Sequence, residues 1–210
     1  MKYVLNGLSF VVYRSYSSTL TLHFPRFPPT AGDKRNMPSI DTARLRLRMF
    51  TPEDLDDLGA LFADPDVMRY VGNGLPGTRQ EARIALESIL KHWEKHGFGR
   101  WVVTEKNSGK FFGFGGLRSL FETPELVYHL LKPYWGRGLA TELARACLRH
   151  GFEKYGFDHI VAIAKPGNAA SLRVMQKVGM HYEMHTTYYN IDVVQYTIAR
   201  KEFLANRQIT

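Results

Sequence analysis

The sequence has little of several features that would have assigned it to a class at once. Its 210 residues contain one cysteine, Cys147, so no internal disulfide can form and the small disulfide-rich secreted proteins are excluded. No run of about 18 apolar residues occurs, which excludes a membrane-spanning helix. The Gly-Lys-Ser/Thr phosphate loop, the three-glycine dinucleotide fingerprint and the His-Glu-x-x-His zinc motif are also missing.

Acidic residues are scarce in the first 36 positions, which hold five basic residues and one acid. Prolines and a glycine interrupt any regular element in this stretch. We therefore predict an N-terminal extension over residues 1–36, flexible or weakly docked, and a single domain over residues 37–210. A secretory signal is a weak interpretation because a clear small-residue cleavage site is lacking, while a transit peptide and an RNA-contacting arm stay open.

The composition of the whole chain is that of a globular protein. Apolar residues make up 44% and charged residues 23%, so a packed core is expected. The formal net charge of +8 suits a phosphate-bearing partner, either nucleic acid or a nucleotide cofactor.

The pattern after residue 40 predicts an α/β (α+β mixed) fold of order β-α-α-β-β-β-α-β-α-β-β. Apolar residues alternate with arginines from Arg44 to Met49, as in a half-buried strand, and Thr78 with Glu81 forms a capping box at a helix start. Strands are expected near 44–49, 101–105, 111–117, 125–131, 160–164, 180–189 and 192–199. Helices are expected near 52–64, 78–97, 139–155 and 168–178.

A glycine-containing loop between a predicted strand and a predicted helix is the most informative segment. It reads Tyr-Trp-Gly-Arg-Gly-Leu-Ala-Thr-Glu over residues 134–142. Its glycines allow a tight turn, and the helix amides that follow have no partners inside the helix. Together with the helix dipole they make an anion site suited to a pyrophosphate, with Arg137 at its rim.

A second cluster follows about thirty residues later, where Asn168 and Ser171 lie on the first turn of a helix. Taken alone, this pair is typical of simple helix capping. Its distance from the glycine loop favours a shared cleft.

With these motifs on record, the sequence resembles the GNAT superfamily of acetyl-CoA-dependent N-acetyltransferases, and within it the ribosomal-protein N-terminal acetyltransferase branch. The resemblance covers about residues 39–203 and rests on Thr42–Arg48, on the glycine loop and on the segment 168–180, which match in order and spacing. It implies a central, mixed, mostly antiparallel sheet flanked by about four helices, whose middle strands, 125–131 and 160–164, splay to admit the pantetheine arm of the cofactor. One departure is Trp135, which occupies the first position of the family's loop pattern, although binding through main-chain amides should survive it.

The resemblance also implies a set of cofactor-binding residues. These are Leu130, Leu131, Trp135, Gly136, Arg137, Gly138, Leu139, Ala140, Thr141, Asn168 and Ser171. Amides near Leu130 and Leu131 would receive the thioester oxygen, Asn168 would hold the pantetheine amides, and Ser171 would donate to the leaving thiolate.

Acetyl transfer to an amine requires a neutral amine. Deprotonation at pH 7 costs about 4.6 kcal/mol for a lysine-like amine and about 1 kcal/mol for an α-amine, so only the former needs a strong base. Glu125 is the candidate base and Tyr182 a candidate acid, each against the alternative of a surface residue. Tyr128 and His129 are expected to be packing residues, or one of them to line the cleft.

The sequence thus predicts an acetyl-CoA-dependent transferase that acts by direct attack of a primary amine and uses no metal. The acceptor is either a peptide N-terminus or a small amine such as a polyamine, an aminoglycoside or an amino acid-like molecule; a non-catalytic acetyl-CoA-binding module is the alternative. The eight histidines show no metal-ligand spacing with an evident third ligand, and Cys147 falls on the buried side of its helix. We expect a cytoplasmic monomer or homodimer that engages no membrane, with nucleic acid not expected as a partner.

Overall fold

The computed structural model describes residues 38–206, and the predicted extension over residues 1–36 lies outside them. The strands in chain order are β1 (Ser39–Asp41), β2 (Leu45–Arg48), β3 (Arg100–Glu105), β4 (Phe111–Leu120), β5 (Thr123–Leu130), β6 (His159–Ala164), β7 (His181–Tyr188) and β8 (Ile191–Ala199). The helices are α1 (Leu55–Ala63), α2 (Pro65–Met68), α3 (Arg79–His96), α4 (Leu139–Glu153), α5 (Ala169–Lys177) and α6 (Arg200–Asn206), with 3₁₀ turns at Pro52–Asp54 and Lys132–Tyr134.

The strands within the described range form one sheet in the order β1-β2-β3-β4-β5-β6-β8-β7. Every neighbouring pair is antiparallel except β5 and β6. A parallel neighbour needs a crossover connection, and α4 supplies it. The predicted mixed, mostly antiparallel sheet with flanking helices is confirmed.

The predicted helix boundaries follow from local chemistry. Helix α3 starts at the predicted capping box, in which the Glu81 amide donates to Thr78 Oγ1 and the Thr78 amide donates to Glu81 Oε2. It ends at Gly97, whose φ of 69° is the left-handed conformation that terminates helices. Strand β1 and the short helices α2 and α6 were not predicted; α2 begins where Asp64 caps the chain just before Pro65.

The core lies on both faces of the sheet. Helix α4 packs on β4 and β5, and it approaches so closely that a Cβ on Gly115 would lie 2.8 Å from Leu143 Cδ2. Phe114 precedes Gly115, so its side chain points to the other face, where its ring packs on Phe50 at 6.2 Å. Cys147 is buried in this core, as predicted, and burial raises its thiol pKa to about 12.

Candidate active site

A gap between β5 and β6 is the central feature of the sheet. Within the described strands the two pair at one position only, Glu125 with Val161, and then diverge. The space between and beside them is a cavity of about 470 Å³. This confirms the expected separation of the middle strands, and it places Glu125 where the gap begins.

Main-chain groups on the edge of β5 face this gap. The Leu131 amide donates to Phe112 O at 2.9 Å, so it points toward β4 and away from the gap. Strand alternation then turns the Leu130 amide and carbonyl toward the gap, and the carbonyl accepts a hydrogen bond from Trp135 Nε1 at 2.6 Å. The expectation for the Leu131 amide is therefore corrected, and the amide of Leu130 is the available donor.

The glycine loop lies at the cofactor end of the cavity. Gly136 and Gly138 have φ of 72° and 76°, the left-handed conformation that favours glycine. The amides of the first turn of α4 follow and have no acceptor within the helix. The predicted residues of this region that line the cavity are Leu130, Trp135, Gly136, Gly138, Leu139, Ala140 and Thr141. Arg137 is exposed beside the loop, and its guanidinium carbon lies 5.9 Å from the centre of the Tyr134 ring.

Glu142 fixes this loop to the second strand. Its carboxylate accepts from Thr42 Oγ1 at 2.6 Å, from the Arg44 amide at 2.8 Å and from Arg44 Nε at 2.7 Å. Arg44 Nη1 in turn donates to Arg137 O at 2.9 Å. Partial burial opposes ionisation of Glu142, but the hydrogen bonds from Thr42 and Arg44 outweigh it and lower its pKa. The segment at 42–48 thus supports the loop, although the two are far apart in sequence.

Helix α5 brings two predicted residues to the opposite wall. Asn168 Oδ1 accepts from the Ser171 amide at 3.1 Å, so it caps the helix as its sequence position suggested. Ser171 Oγ lies 2.9 Å from the hydroxyl of Tyr128 on β5. Burial raises the pKa of Tyr128 to about 12, and its phenol therefore stays protonated at neutral pH. All three residues line the cavity.

Glu125 is buried, with 2% of its surface exposed, which excludes the alternative of a surface carboxylate. Arg118 on β4 binds it with two hydrogen bonds, Nε to Oε2 at 2.6 Å and Nη2 to Oε1 at 3.2 Å. Such a two-point contact fixes the orientation of the carboxylate. Both residues line the cavity.

Comparison with known proteins agrees with this geometry. The family model for the acetyltransferase (GNAT) domain matches residues 44–181. The chain belongs to the GNAT family of acetyltransferases.

Two curated relatives and two solved structures illustrate the range of this GNAT acetyltransferase's similarities. It is 37% identical to the uncharacterized protein YkkB of Bacillus subtilis over 160 residues, which cover 74% of this chain and 92% of YkkB. It is 31% identical to the FsC-acetyl coenzyme A-N(2)-transacetylase of Aspergillus fumigatus, over 80% of this chain and 78% of that protein. A GNAT acetyltransferase structure from Bacillus anthracis is 26% identical with a TM-score of 0.69, over 79% of this chain and 100% of that one. The aminoglycoside acetyltransferase AAC(6')-Ib, solved with coenzyme A, is 18% identical with a TM-score of 0.67, over 78% and 99%, and shows the fold alone.

GNAT acetyltransferases use acetyl-CoA as co-substrate, and the cavity of this GNAT domain fits it. The glycine-loop amides lie at one end, where they can bind the diphosphate, and the gap between β5 and β6 leads from there to Glu125. The acyl transfer needs no metal in this arrangement. Within residues 38–206, no group of three His, Cys, Asp or Glu side chains is placed to hold a metal ion.

One predicted site residue of the GNAT domain lies apart from the others. Tyr182 is 54% exposed on β7 at the outer edge of the sheet, with its ring 6.0 Å from that of Tyr196, and it is not among the residues that line the cavity. The buried phenol beside Ser171 belongs instead to Tyr128. Sequence reasoning had treated Tyr128 as a packing residue because a single strand does not show which of its faces meets α5.

Sequence reasoning missed Arg100 and Arg118, which line the same cavity as Glu125 and His129. The available signal was a single cation inside each of two otherwise apolar or small-residue strands. His129 stacks on Phe114 at 4.7 Å, and burial together with the charges of Arg118 and Arg100 lowers its pKa to about 4.

The remaining histidines have structural contacts. His92 Nδ1 lies 2.8 Å from Phe98 O and its Nε2 accepts from the Ser119 amide at 3.0 Å, so both ring nitrogens are used. No helix in the part of the chain that the structure describes is long and apolar enough to cross a bilayer.

Proposed function

We propose that this GNAT domain transfers the acetyl group of acetyl-CoA to a primary amine by direct attack within a ternary complex. The observation that carries the proposal is the gap between β5 and β6, which joins the glycine-loop amides at one end to the buried Glu125 at the other. A thioester inserted through such a gap would meet an amine beside a carboxylate, with no intermediate acyl-enzyme required.

The amine must lose a proton before it attacks, and Glu125 is the proposed acceptor of that proton, directly or through water. Arg118 holds the carboxylate by two hydrogen bonds and leaves further lone pairs on both oxygens. Arg118 is therefore a positioning residue for Glu125. The two side chains are opposite each other in the register of β4 and β5, which keeps this geometry rigid.

The amine nitrogen then attacks the thioester carbon, and the C–S bond breaks. The Leu130 amide, which faces the gap, is the proposed donor to the oxygen as it gains negative charge. The thiolate that leaves takes a proton, and Ser171 is the proposed donor. The Tyr128 phenol, 2.9 Å from Ser171 Oγ, is placed to restore or supply that proton.

The charges of the cavity bear on the acceptor. A cavity for a polyamine or an aminoglycoside should be lined by free carboxylates, but the acids among the described lining residues are Glu125 and Asp66. Glu125 is bound by Arg118, and Asp66 by Lys132 at 2.6 Å and by Arg69 at 3.2 Å. We therefore propose an acceptor with no positive charge beyond the reacting amine. A peptide α-amine, the preference suggested by the ribosomal-protein branch, and an amino acid-like small molecule both satisfy this condition.

The decisive experiment is incubation of the protein with isotopically labelled acetyl-CoA and a library of peptides, amino acids, polyamines and aminoglycosides, followed by mass spectrometry. Labelled acetyl amide on any acceptor, with stoichiometric release of coenzyme A, supports the proposal. Binding of acetyl-CoA with only background hydrolysis across the whole library would instead indicate a non-catalytic binding module.

A further inference from the structure

One cation of the acceptor side has no counter-charge in the protein. Arg100 on β3 lines the cavity, and its Nε is enclosed with no hydrogen-bond partner among residues 38–206. In the same range no carboxylate lies within ion-pair distance of its guanidinium. Burial, and then the charge of Arg118, lower the Arg100 pKa to about 9, so the group still carries its charge at neutral pH.

The nearby acids do not compensate Arg100. Glu125 is engaged by both donors of the Arg118 fork, and Asp66 is engaged by Lys132 and Arg69. The described acceptor side therefore holds two arginines and one unshared carboxylate, an excess of one positive charge. An enclosed cation without a partner is unfavourable unless a ligand supplies the missing charge.

The sheet register places this charge beside the reacting groups. Arg100 pairs with Gly116, which pairs with Val127, and the adjacent steps of the same face carry the pairs Arg118–Glu125 and Phe114–His129. His129 is neutral, and its Nδ1 is buried without a partner within the described chain. Two orphaned polar atoms thus border one volume next to Glu125.

We infer that the acceptor amine also carries a carboxylate, which Arg100 binds while the amine faces Glu125. The inference rests on the proposed function and narrows its acceptor to amino acid-like molecules. A guanidinium matches a carboxylate with two parallel hydrogen bonds, and His129 Nδ1 supplies one further polar contact. A single uncompensated cation matches a singly charged carboxylate better than a phosphate, which carries close to two charges.

The test compares acceptors that differ only in the anion. Amino acids with different spacings between the amine and the carboxylate are assayed beside their own carboxamides and beside O-phosphoethanolamine. Rates are taken over a pH series and expressed per neutral amine, because a carboxamide lowers the pKa of the neighbouring amine. We expect kcat/KM to be at least about 10-fold higher for the best amino acid than for its carboxamide, the effect of one charge-assisted contact.

Substitution at the cation then decides the assignment. Arg100→Met should bring the ratio of amino acid to carboxamide kcat/KM close to 1, and Arg100→Lys, which keeps the charge without the fork, should give an intermediate ratio. Arg83→Met, on the exposed face of α3 and outside the cavity lining, is the matched control and should keep the wild-type ratio. Melting temperatures establish that each variant is folded, and if Arg100→Met does not fold the lysine variant carries the test.

The outcomes separate the inference from the proposed function. A wild-type ratio near 1, an undiminished ratio in the folded Arg100 variants, or a preference for O-phosphoethanolamine would each overturn the carboxylate assignment while the acetyltransferase activity stands. A protein that binds acetyl-CoA but acetylates neither amino acids nor carboxamides nor any other amine would end both.

Discussion

The two sides of the gap between β5 and β6 are built from different parts of the polypeptide. The cofactor side consists of main-chain amides from one continuous loop, residues 136–141, and the helix that follows it. The acceptor side consists of side chains from three strands, with Arg100 on β3, Arg118 on β4, and Glu125 and His129 on β5.

This difference decides how each side responds to change. A main-chain site depends on backbone conformation and tolerates most side chains, as Trp135 at an unusual loop position illustrates. A side-chain site depends on individual charges and on the sheet register that aligns them. Substitutions should therefore damage one side and spare the other, and a variant that damages both would show that the sides are not independent.

The largest expected effect is on the acceptor side, in Glu125→Gln. The amide keeps the shape of the side chain but cannot accept the amine proton. We expect kcat/KM to fall about 100-fold for an amine with a pKa near 10 and about 10-fold for a peptide α-amine, which needs less help to deprotonate. Steady-state kinetics with the two acceptors measures this difference, and calorimetry should give an unchanged Kd for acetyl-CoA.

The control for this variant is Glu87→Gln, an exposed position on α3 outside the cavity lining, which should match the wild type. Equal losses on both acceptors would remove Glu125 from the role of base.

The second effect is on the cofactor side, in Gly138→Asp. A φ of 76° costs a residue with a side chain about 1–2 kcal/mol, and the new carboxylate would face the diphosphate. Arg44 Nη2 lies 3.6 Å from the position of the added Cβ and offsets part of the repulsion. We expect the Kd of acetyl-CoA to rise about 30-fold for Asp and less than about 5-fold for Ala, as measured by titration calorimetry.

Gly156→Asp is the matched control for the backbone term. Gly156 also has positive φ, 68°, and a Cβ there would meet nothing within 4 Å. It should lose comparable stability and keep the wild-type affinity for acetyl-CoA. Unaltered affinity in Gly138→Asp would contradict the placement of the diphosphate on these amides.

The same contrast explains how far the sequence reached. The glycine loop, the Asn168 cap and the capping box of α3 are local patterns, and each lies where it was predicted. The partners of Glu125 and Ser171 could not be found this way, because Arg118 and Tyr128 reach them only through strand pairing and the packing of α5. Tyr182 was selected because it follows a helix in the chain, but the order β6-β8-β7 moves its strand to the sheet edge. The orphan Arg100 needs three strands in register, which no local motif records.

The third effect lies at the wall of the gap, in Tyr128→Phe. Loss of the phenol removes the contact with Ser171 Oγ, and we expect kcat to fall about 10-fold with little change in Kd for acetyl-CoA. Ser171→Ala should have a similar effect, and the double variant should be no slower than either single one, because the two hydroxyls act through one proton. Tyr182→Phe serves as comparison and should keep the wild-type kcat. The reverse result, with Tyr182→Phe slow and Tyr128→Phe unaffected, would restore Tyr182 as the acid.

The smallest effect concerns the support of the loop, in Glu142→Gln. The variant weakens hydrogen bonds from Thr42 and Arg44, and we expect the free energy of unfolding to fall by about 1 kcal/mol at pH 7, with kcat nearly unchanged. Because the Glu142 pKa is lowered in the folded state, its ionised form contributes stability above the unfolded value of 4.5, and that contribution is lost as the pH falls through the folded pKa. Urea unfolding across the acid range should therefore show the wild type and the variant converging at low pH, while Glu94→Gln, an exposed site on α3, should follow the wild type throughout. A constant difference at every pH would show that the carboxylate charge does not stabilise the loop, and the cofactor side would then depend on its backbone alone.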